Sequence, residues 1–397
     1  MDSIEIFFWI SLFIIFYSHL GYGIILVVLV LIKRAFFKKN FSKFTDLPEV
    51  TLFIPAYNEI DTIRQKVQNS KELDYPKDKL QIMFIDDGSN DGTYEALSDF
   101  EGIKVFRKTD RQGKISAINW GLKFVETPII VFSDANTDLS KNAAKDIVSQ
   151  FADLKTGCVS GEKRIIQNTA DGASIAGEGL YWKYESFLKK MDSELYSVVG
   201  ADGALFAVRK DLIDPVENDT ILDDFVISLK IASKGYKIKY APNSYAKEYA
   251  SENVGEEWKR KVRISAGGIQ SILRLLRLLN PFKYGILTFQ YISHKVLRWS
   301  LCPLLLFLLL PVNVYLAVEN NFDPLNIYTI LLIFQMIFYI LAALGWKMEN
   351  KKVRVKVLFI PFYFTMMNLA VLFGMKRYFA GGQNVKWERA KRADHSN

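Results

Sequence analysis

The chain has 397 residues, half of them apolar, and a formal net charge of +8. That length holds one globular domain of ordinary size plus substantial further material. Two cysteines and three histidines exclude a clustered zinc site, so any bound metal would be held by oxygen.

In chain order, residues 4–32 form an apolar run without Lys or Arg, longer than the roughly 20 residues a bilayer-spanning helix needs. It follows the acidic opening MDSIE instead of the basic start of a signal peptide, so 1–34 reads as a retained anchor. Lys33, Arg34, Lys38, Lys39 and Lys43 come next, then a soluble region, 46–260, with scattered charges. Residues 261–298 contain IQSILRLLRLLN and HKVLRW, apolar at helical spacing with Arg274, Arg277, Lys283, Lys295 and Arg298 between. This is the pattern of a helix in the membrane interface. Three apolar runs follow at 299–317, 325–345 and 357–375, giving an expected membrane cluster over 299–376 and a basic tail, 377–397.

Basic residues flank the first run, and Lys347, Lys351, Lys352, Arg354 and Lys356 separate the last two. The positive-inside rule then predicts a multi-pass cell-membrane protein with a cytoplasmic soluble domain and the acidic link ENNFDP outside. Four spans would return the C-terminus to the outside, against the charge of Lys376, Arg377, Lys386, Arg389, Lys391 and Arg392. Either one run does not span or 281–298 hides another.

Within the soluble region the strands VTLFIPAY, LQIMFID, IKVFRK and PIIVFSD alternate with helical stretches. Such alternation predicts an α/β fold with a mostly parallel sheet, helices on both faces and ligands outside the carboxyl ends of the strands. Asp86 and Asp134 stand at two of those ends, and PAYNE (Pro55 to Glu59) at a third. Each Asp can cap the helix that follows. Three polar strand ends in succession instead describe a rim, where clustered carboxylates repel unless a cation or ligand joins them. Mg²⁺ or Mn²⁺ bound to a diphosphate supplies that balance. There is no GxxxxGK[ST] loop, which argues against a P-loop nucleotidase. Basic residues concentrate beside the apolar runs and not among interleaved aromatics, which argues against nucleic acid.

PAYNE, DDGSNDGT, QGKISAIN, SDANT, GADGALFAVRK and LDDFVISLKIASKGYK, in this order over about 50–265, resemble family 2 glycosyltransferases of the GT-A fold, the superfamily of cellulose, chitin and hyaluronan synthases. The resemblance implies a Rossmann-like nucleotide-sugar-binding domain between membrane helices. It implies that Pro55, Asn58, Glu59 and Asp87, with Asp86 beside them, line the base and ribose pocket, and that Lys114 and Asn119 lie near the donor sugar and diphosphate. Asp134 and Asn136 would take the place of the metal-holding acidic pair; Asn136 is a weaker ligand than a carboxylate, and Asp138 a poor substitute. Asp223 and Asp224 match the motif that supplies the catalytic base, with Asp224 the expected base of an inverting displacement. Gly203 and Ala204 would lie at the acceptor site. EEWKRKVRISAGG falls where processive members carry QxxRW, and the aligned positions read Arg260, Arg263 and Ile264, so the glutamine and tryptophan are absent.

The expectation is therefore a membrane-bound inverting glycosyltransferase. It would move a sugar from a nucleotide-sugar, expected to be a UDP-sugar, to a lipid-linked or saccharide acceptor in surface polysaccharide or glycolipid synthesis. Loss of the stacking tryptophan points to one or few transfers, although Trp258 stands nearby in sequence. The alternatives are a processive β-glycan synthase coupled to export, and an inactive nucleotide-sugar-binding scaffold, for which Asn136 is the hint.

Overall fold

The computed structural model describes residues 2–37, 44–166, 174–249, 253–349 and 356–381. Most of the basic tail and of the basic loops at 38–43 and 350–355 lies outside them.

The strands are β1 (Val50–Ala56), β2 (Leu80–Asp86), β3 (Lys104–Arg107), β4 (Ile129–Ser133), β5 (Asp138–Leu139), β6 (Thr156–Ile166), β7 (Leu205–Arg209) and β8 (Lys237–Tyr249). The helices are α1 (Ser3–Phe16), α2 (Tyr22–Phe36), α3 (Ile60–Lys71), α4 (Thr93–Ser98), α5 (Lys114–Gly121), α6 (Ala143–Ser149), α7 (Ser174–Leu195), α8 (Asp223–Ser233), α9 (Val254–Arg274), α10 (Pro281–Tyr284), α11 (Ile286–Tyr291), α12 (Leu297–Trp299), α13 (Leu301–Glu319), α14 (Ile327–Glu349) and α15 (Lys356–Phe379).

One eight-stranded sheet runs β3-β2-β1-β4-β7-β6-β8-β5. β3, β2, β1 and β4 are mutually parallel, as the alternation of strands and helices requires, and β7 enters antiparallel between β4 and β6. β6 and β8 pair in parallel with bulges. The strands are apolar on both sides because both sheet faces are covered. Phe53, Met83, Ile85, Phe132, Phe206 and Val226 fill one layer, and Leu52, Ile54, Phe84, Val131, Ile147 and Leu205 the other. β1 pairs with β4 only as far as Phe53, so Pro55, which has no N–H, falls where that side of the strand is open. The order reverses between β1 and β4, and the crevice above that switch point receives the ends of β1, β2 and β4.

Among the described residues, four helices are long and apolar enough to cross a membrane: Ser3–Phe36, Leu301–Glu319, Ile327–Met348 and Leu358–Phe379. The chain is a membrane protein. The first is α1 and α2 joined through a π-turn at Tyr17–Gly21. α1 packs on α13 and α14 through Phe8, Leu309, Leu316 and Tyr328, while Ile10, Phe13, Leu308 and Phe334 stay exposed as a lipid-facing surface.

α2 instead docks on α7 of the sheet domain. Lys33 Nζ donates to the carbonyls of Glu194 (2.8 Å) and Leu195 (2.9 Å), and Arg34 pairs with Glu194 at 2.7 Å. In the segment after α9, Leu275, Leu278, Leu287 and Tyr291 join the sheet-domain core, whereas Leu276, Phe282 and Ile286 are exposed.

Candidate active site

The first wall of the crevice is built by two loops that hold each other. After β1, Asn58 turns the chain with φ +51°, in the left-handed region asparagine tolerates. Its amide Nδ2 donates to Asn90 Oδ1 (2.9 Å), and Asn90 N donates back to Asn58 Oδ1 (3.0 Å). Glu59 N donates to Thr93 Oγ1 (2.9 Å).

Asp86 and Asp87 are both buried. Asp86 accepts from Ser89 N at 3.2 Å and meets Arg107 at 3.4 Å. Asp87 accepts from Gly113 N (2.6 Å) and Gln112 N (3.2 Å), which ties the end of β2 to the start of α5. Burial raises both carboxyls above the usual range in spite of these donors. The Arg111 guanidinium lies 4.0 Å over the Tyr57 ring at the rim.

The second wall carries the charge cluster. Lys114, at the start of α5, places its ammonium 2.7 Å from Asp134 Oδ1 and 3.6 Å from Asp223 Oδ2. Burial favours the neutral amine, but Asp134, Asp223 and Asp224 outweigh it and hold Lys114 protonated, above the ordinary lysine range. Asp223 Oδ2 is buried and accepts no hydrogen bond.

Asp224 Oδ1 accepts from Phe225 N (2.8 Å), and its carboxyl is pushed up to about 7 by burial and by the Asp223 charge. Gly203 is its neighbour: a Cβ there would lie 2.9 Å from Asp224 Oδ2. Arg263 of α9 feels Asp223, Asp224 and Asp134, though burial still lowers its pKa. Lys114, Asp134 and Asp223 thus form one cluster, with Asp224 next in the chain and Arg263 within electrostatic reach.

Other candidates stand apart. Asn119 is committed to a neighbouring loop, donating to Val216 O (2.7 Å) and Asn218 Oδ1 (3.0 Å) and accepting from Val216 N (3.2 Å). Arg260 makes a two-pronged pair with Glu257 at 2.9 and 3.1 Å. Ala204 is buried just before β7. Asp138, on β5, accepts from Gln65 of α3 (2.8 Å). Trp258 meets Phe373 of α15 at 5.4 Å, between helices instead of in the crevice. Among the described residues no group of three or more His, Cys, Asp or Glu is arranged to hold a metal.

Two contributors carried no signal of their own in sequence. Lys66 of α3 is fully buried under the SDANT turn, its ammonium 2.7 Å from both Ser133 Oγ and Thr137 O, and burial lowers it to about 7. Asp202, within GADGA, pairs with Lys189 of α7 at 3.3 Å. Burial opposes its ionisation, yet Lys189 and Lys163 hold its pKa below the usual range.

Residues 51–216 match the sequence profile of glycosyl transferase family 2. Poly-β-1,6-N-acetyl-D-glucosamine synthase of Staphylococcus aureus is 30% identical over 247 residues, 60% of this chain and 58% of that protein. The match thus spans less than two thirds of that relative's length. The synthase of the same name from Staphylococcus epidermidis is 26% identical over 352 residues, 83% of this chain and 84% of that protein. Mannosyltransferase PcManGT from Pyrobaculum calidifontis, solved in complex with GDP-Man and Mn²⁺, matches with a TM-score of 0.65 at 21% identity, over 95% of this chain and 100% of that one. That likeness is one of fold. Residues 51–216 of the chain are thus similar to glycosyl transferase family 2, and they lie in a GT-A-like sheet domain set between apolar helices long enough to cross a membrane.

Proposed function

We propose that this enzyme polymerises a β-linked glycan from a nucleotide-sugar at the cytoplasmic face of the membrane, by inverting displacement. The observation that carries the reading is the Lys114 ammonium seated between Asp134 and Asp223, with Asp224 beside it. Asp224 would take the proton of the acceptor hydroxyl as that oxygen attacks the anomeric carbon. With its carboxyl near 7, it is poised to accept a proton at neutral pH. Lys114 and Arg263 would face the charge growing on the departing diphosphate. Asn58, Glu59, Asp86 and Asp87 would line the base and ribose pocket, with Gly203 leaving room for the acceptor beside Asp224.

A divalent cation fits this donor set in the mode where one or two carboxylates and the substrate phosphates complete the shell. Asp134 and the Asn136 amide oxygen would hold it, and Asp223 Oδ2 is a further buried oxygen without a hydrogen bond. When bound, the ion would neutralise charge on the leaving diphosphate.

The relatives' names support polymer synthesis over transfer of one or few sugars, the reading the missing QxxRW tryptophan had favoured. They also make UDP-N-acetylglucosamine the first donor to try. Purified membranes given a panel of UDP-sugars with Mn²⁺ or Mg²⁺ are expected to release UDP from one donor and to yield a ladder of long chains. Release of UDP with only mono- or disaccharide products would overturn the polymer reading and leave the transferase reading standing.

A further inference from the structure

We infer that α15 does not cross the membrane: it lies in the membrane interface, wedged between the sheet domain and the spans, so the chain crosses three times and ends on the catalytic side. By length and composition α15 qualifies as a span. Its packing along α9 argues against one.

Near its start, Phe359, Phe362, Tyr363 and Met366 cluster with Val254 and Trp258 of α9 and Tyr181 of α7. Near its end, Phe373 meets Trp258, and Gly374 presses so closely on α9 that a Cβ would lie 2.6 Å from Ser265 Cβ and 2.9 Å from Val262 O. α15 therefore follows α9 from residue 359 to 374, about 22 Å at the rise of an α-helix. Over the matching stretch α9 carries Glu256, Glu257, Lys259, Arg260, Lys261 and Arg263. Lys261 reaches the Tyr363 ring at 5.9 Å, and Arg263 lies within electrostatic reach of Asp223, Asp224 and Asp134.

If α15 spanned the hydrocarbon core, α9 and its six charges would be drawn in with it. Each charge at the bilayer centre costs on the order of 3 kcal/mol or more. The active-site cluster would then lie one helix away from lipid tails. A helix along the interface avoids both costs.

The opposite side of α15 fits this placement. Phe364 packs on Phe338 of α14 at 5.9 Å and on His19 of the π-turn at 4.9 Å. The π-turn is level with charged groups, because Arg298 donates to Ser18 O at 3.0 Å. Lys376 and Arg377 end the helix, and the following sequence adds Lys386, Arg389, Lys391 and Arg392. Three crossings put this basic end on the same side as the other basic loops and remove the conflict that four crossings create.

The full-length protein, expressed in cells, tests the inference without any reference to turnover. Single exposed positions are changed to cysteine and exposed to a membrane-impermeant maleimide: Leu325→Cys between α13 and α14, Lys104→Cys on the sheet domain, and Ala380→Cys just beyond α15. Cys158 and Cys302 are buried. The expected result is that Leu325→Cys labels in intact cells, whereas Ala380→Cys and Lys104→Cys label only after permeabilisation. Labelling of Ala380→Cys in intact cells would overturn the inference. Should Ala380→Cys resist labelling in both states, a reporter pair fused after residue 397 decides: a fluorescent GFP fusion supports three crossings, and an active alkaline phosphatase fusion overturns them.

Discussion

Asp224 holds a carboxylate in a place that resists its charge. Burial and the Asp223 charge raise its carboxyl to about 7, and Lys114 only partly relieves it. If it is the base, turnover per enzyme rises with pH through about 7 and then levels, and Asp224→Asn loses about 10²- to 10⁴-fold. The stability effect has the opposite sign. A carboxyl whose pKa is raised in the fold contributes stability that is fully present below the ordinary carboxylate range and is lost as pH rises through about 7. Asp224→Asn should therefore unfold at a higher temperature than the wild type at pH 8, with the gap closing toward pH 4. Thermal unfolding at both pH values, beside the pH–rate profile, checks the pair of effects; a destabilised, fully active variant would sink the assignment. Asp86 and Asp134 were legible because an acid at the end of an apolar strand has few structural reasons to be there, and Asp223 and Asp224 through the LDDF motif of the family resemblance. Lys66 was not, since a lysine on an amphipathic helix looks the same whether it faces water or, as here, the underside of a turn.

At the scale of elements, the site depends on how α8 is aimed. Gly200 opens the GADGA loop at φ +88°, and a Cβ there would lie 2.2 Å from Phe225 Cδ2, next to Asp224. Gly200→Ala should cost about 1–3 kcal/mol through overpacking, with added strain from the backbone angle. It should also lower kcat more than it raises the donor KM, because the Asn58 and Asp87 wall is untouched. Calorimetry and steady-state kinetics on the purified variant read both. The parallel half of the sheet was visible in sequence because each strand is followed by its own helix, a local pattern. The antiparallel entry of β7 between β4 and β6 was not: β7 pairs with residues 72–80 positions earlier in β4 and 46–50 positions earlier in β6, and nothing in LFAVR specifies partners so distant. For the same reason Arg263 was legible as the arginine of the QxxRW position, while its electrostatic reach to Asp223 and Asp224 depends on where α9 lies in the fold.

The whole molecule is held together by a buried polar junction. The α1–α2 helix, 34 residues and about 51 Å long, exceeds the ~30 Å hydrocarbon core, and its lower half is given over to α7. Where α7 meets the segment before α13, Glu185 contacts Lys295, lies 3.2 Å from His294 Nε2 and 3.6 Å from Arg298. Asp192 takes His294 Nδ1 at 2.6 Å and also bonds Gln290 and Tyr22. Burial disfavours the Glu185 charge, yet Lys295, His294 and Arg298 outweigh it and keep its pKa well below the usual range. Removing that one carboxylate strands buried cations at the joint between catalytic domain and membrane helices. Glu185→Gln should thus cost about 3–5 kcal/mol, the penalty for breaking a buried pair from one side. Glu185→Gln/Lys295→Met should recover part of that loss, because the double variant removes a charge together with its partner. Unfolding of detergent-purified protein measures both variants. A double variant no more stable than Glu185→Gln would mean that the junction works by shape and not by charge pairing. Recovery would mean that the catalytic domain is held to its membrane helices by this paired charge, deep in an interface where water cannot replace it.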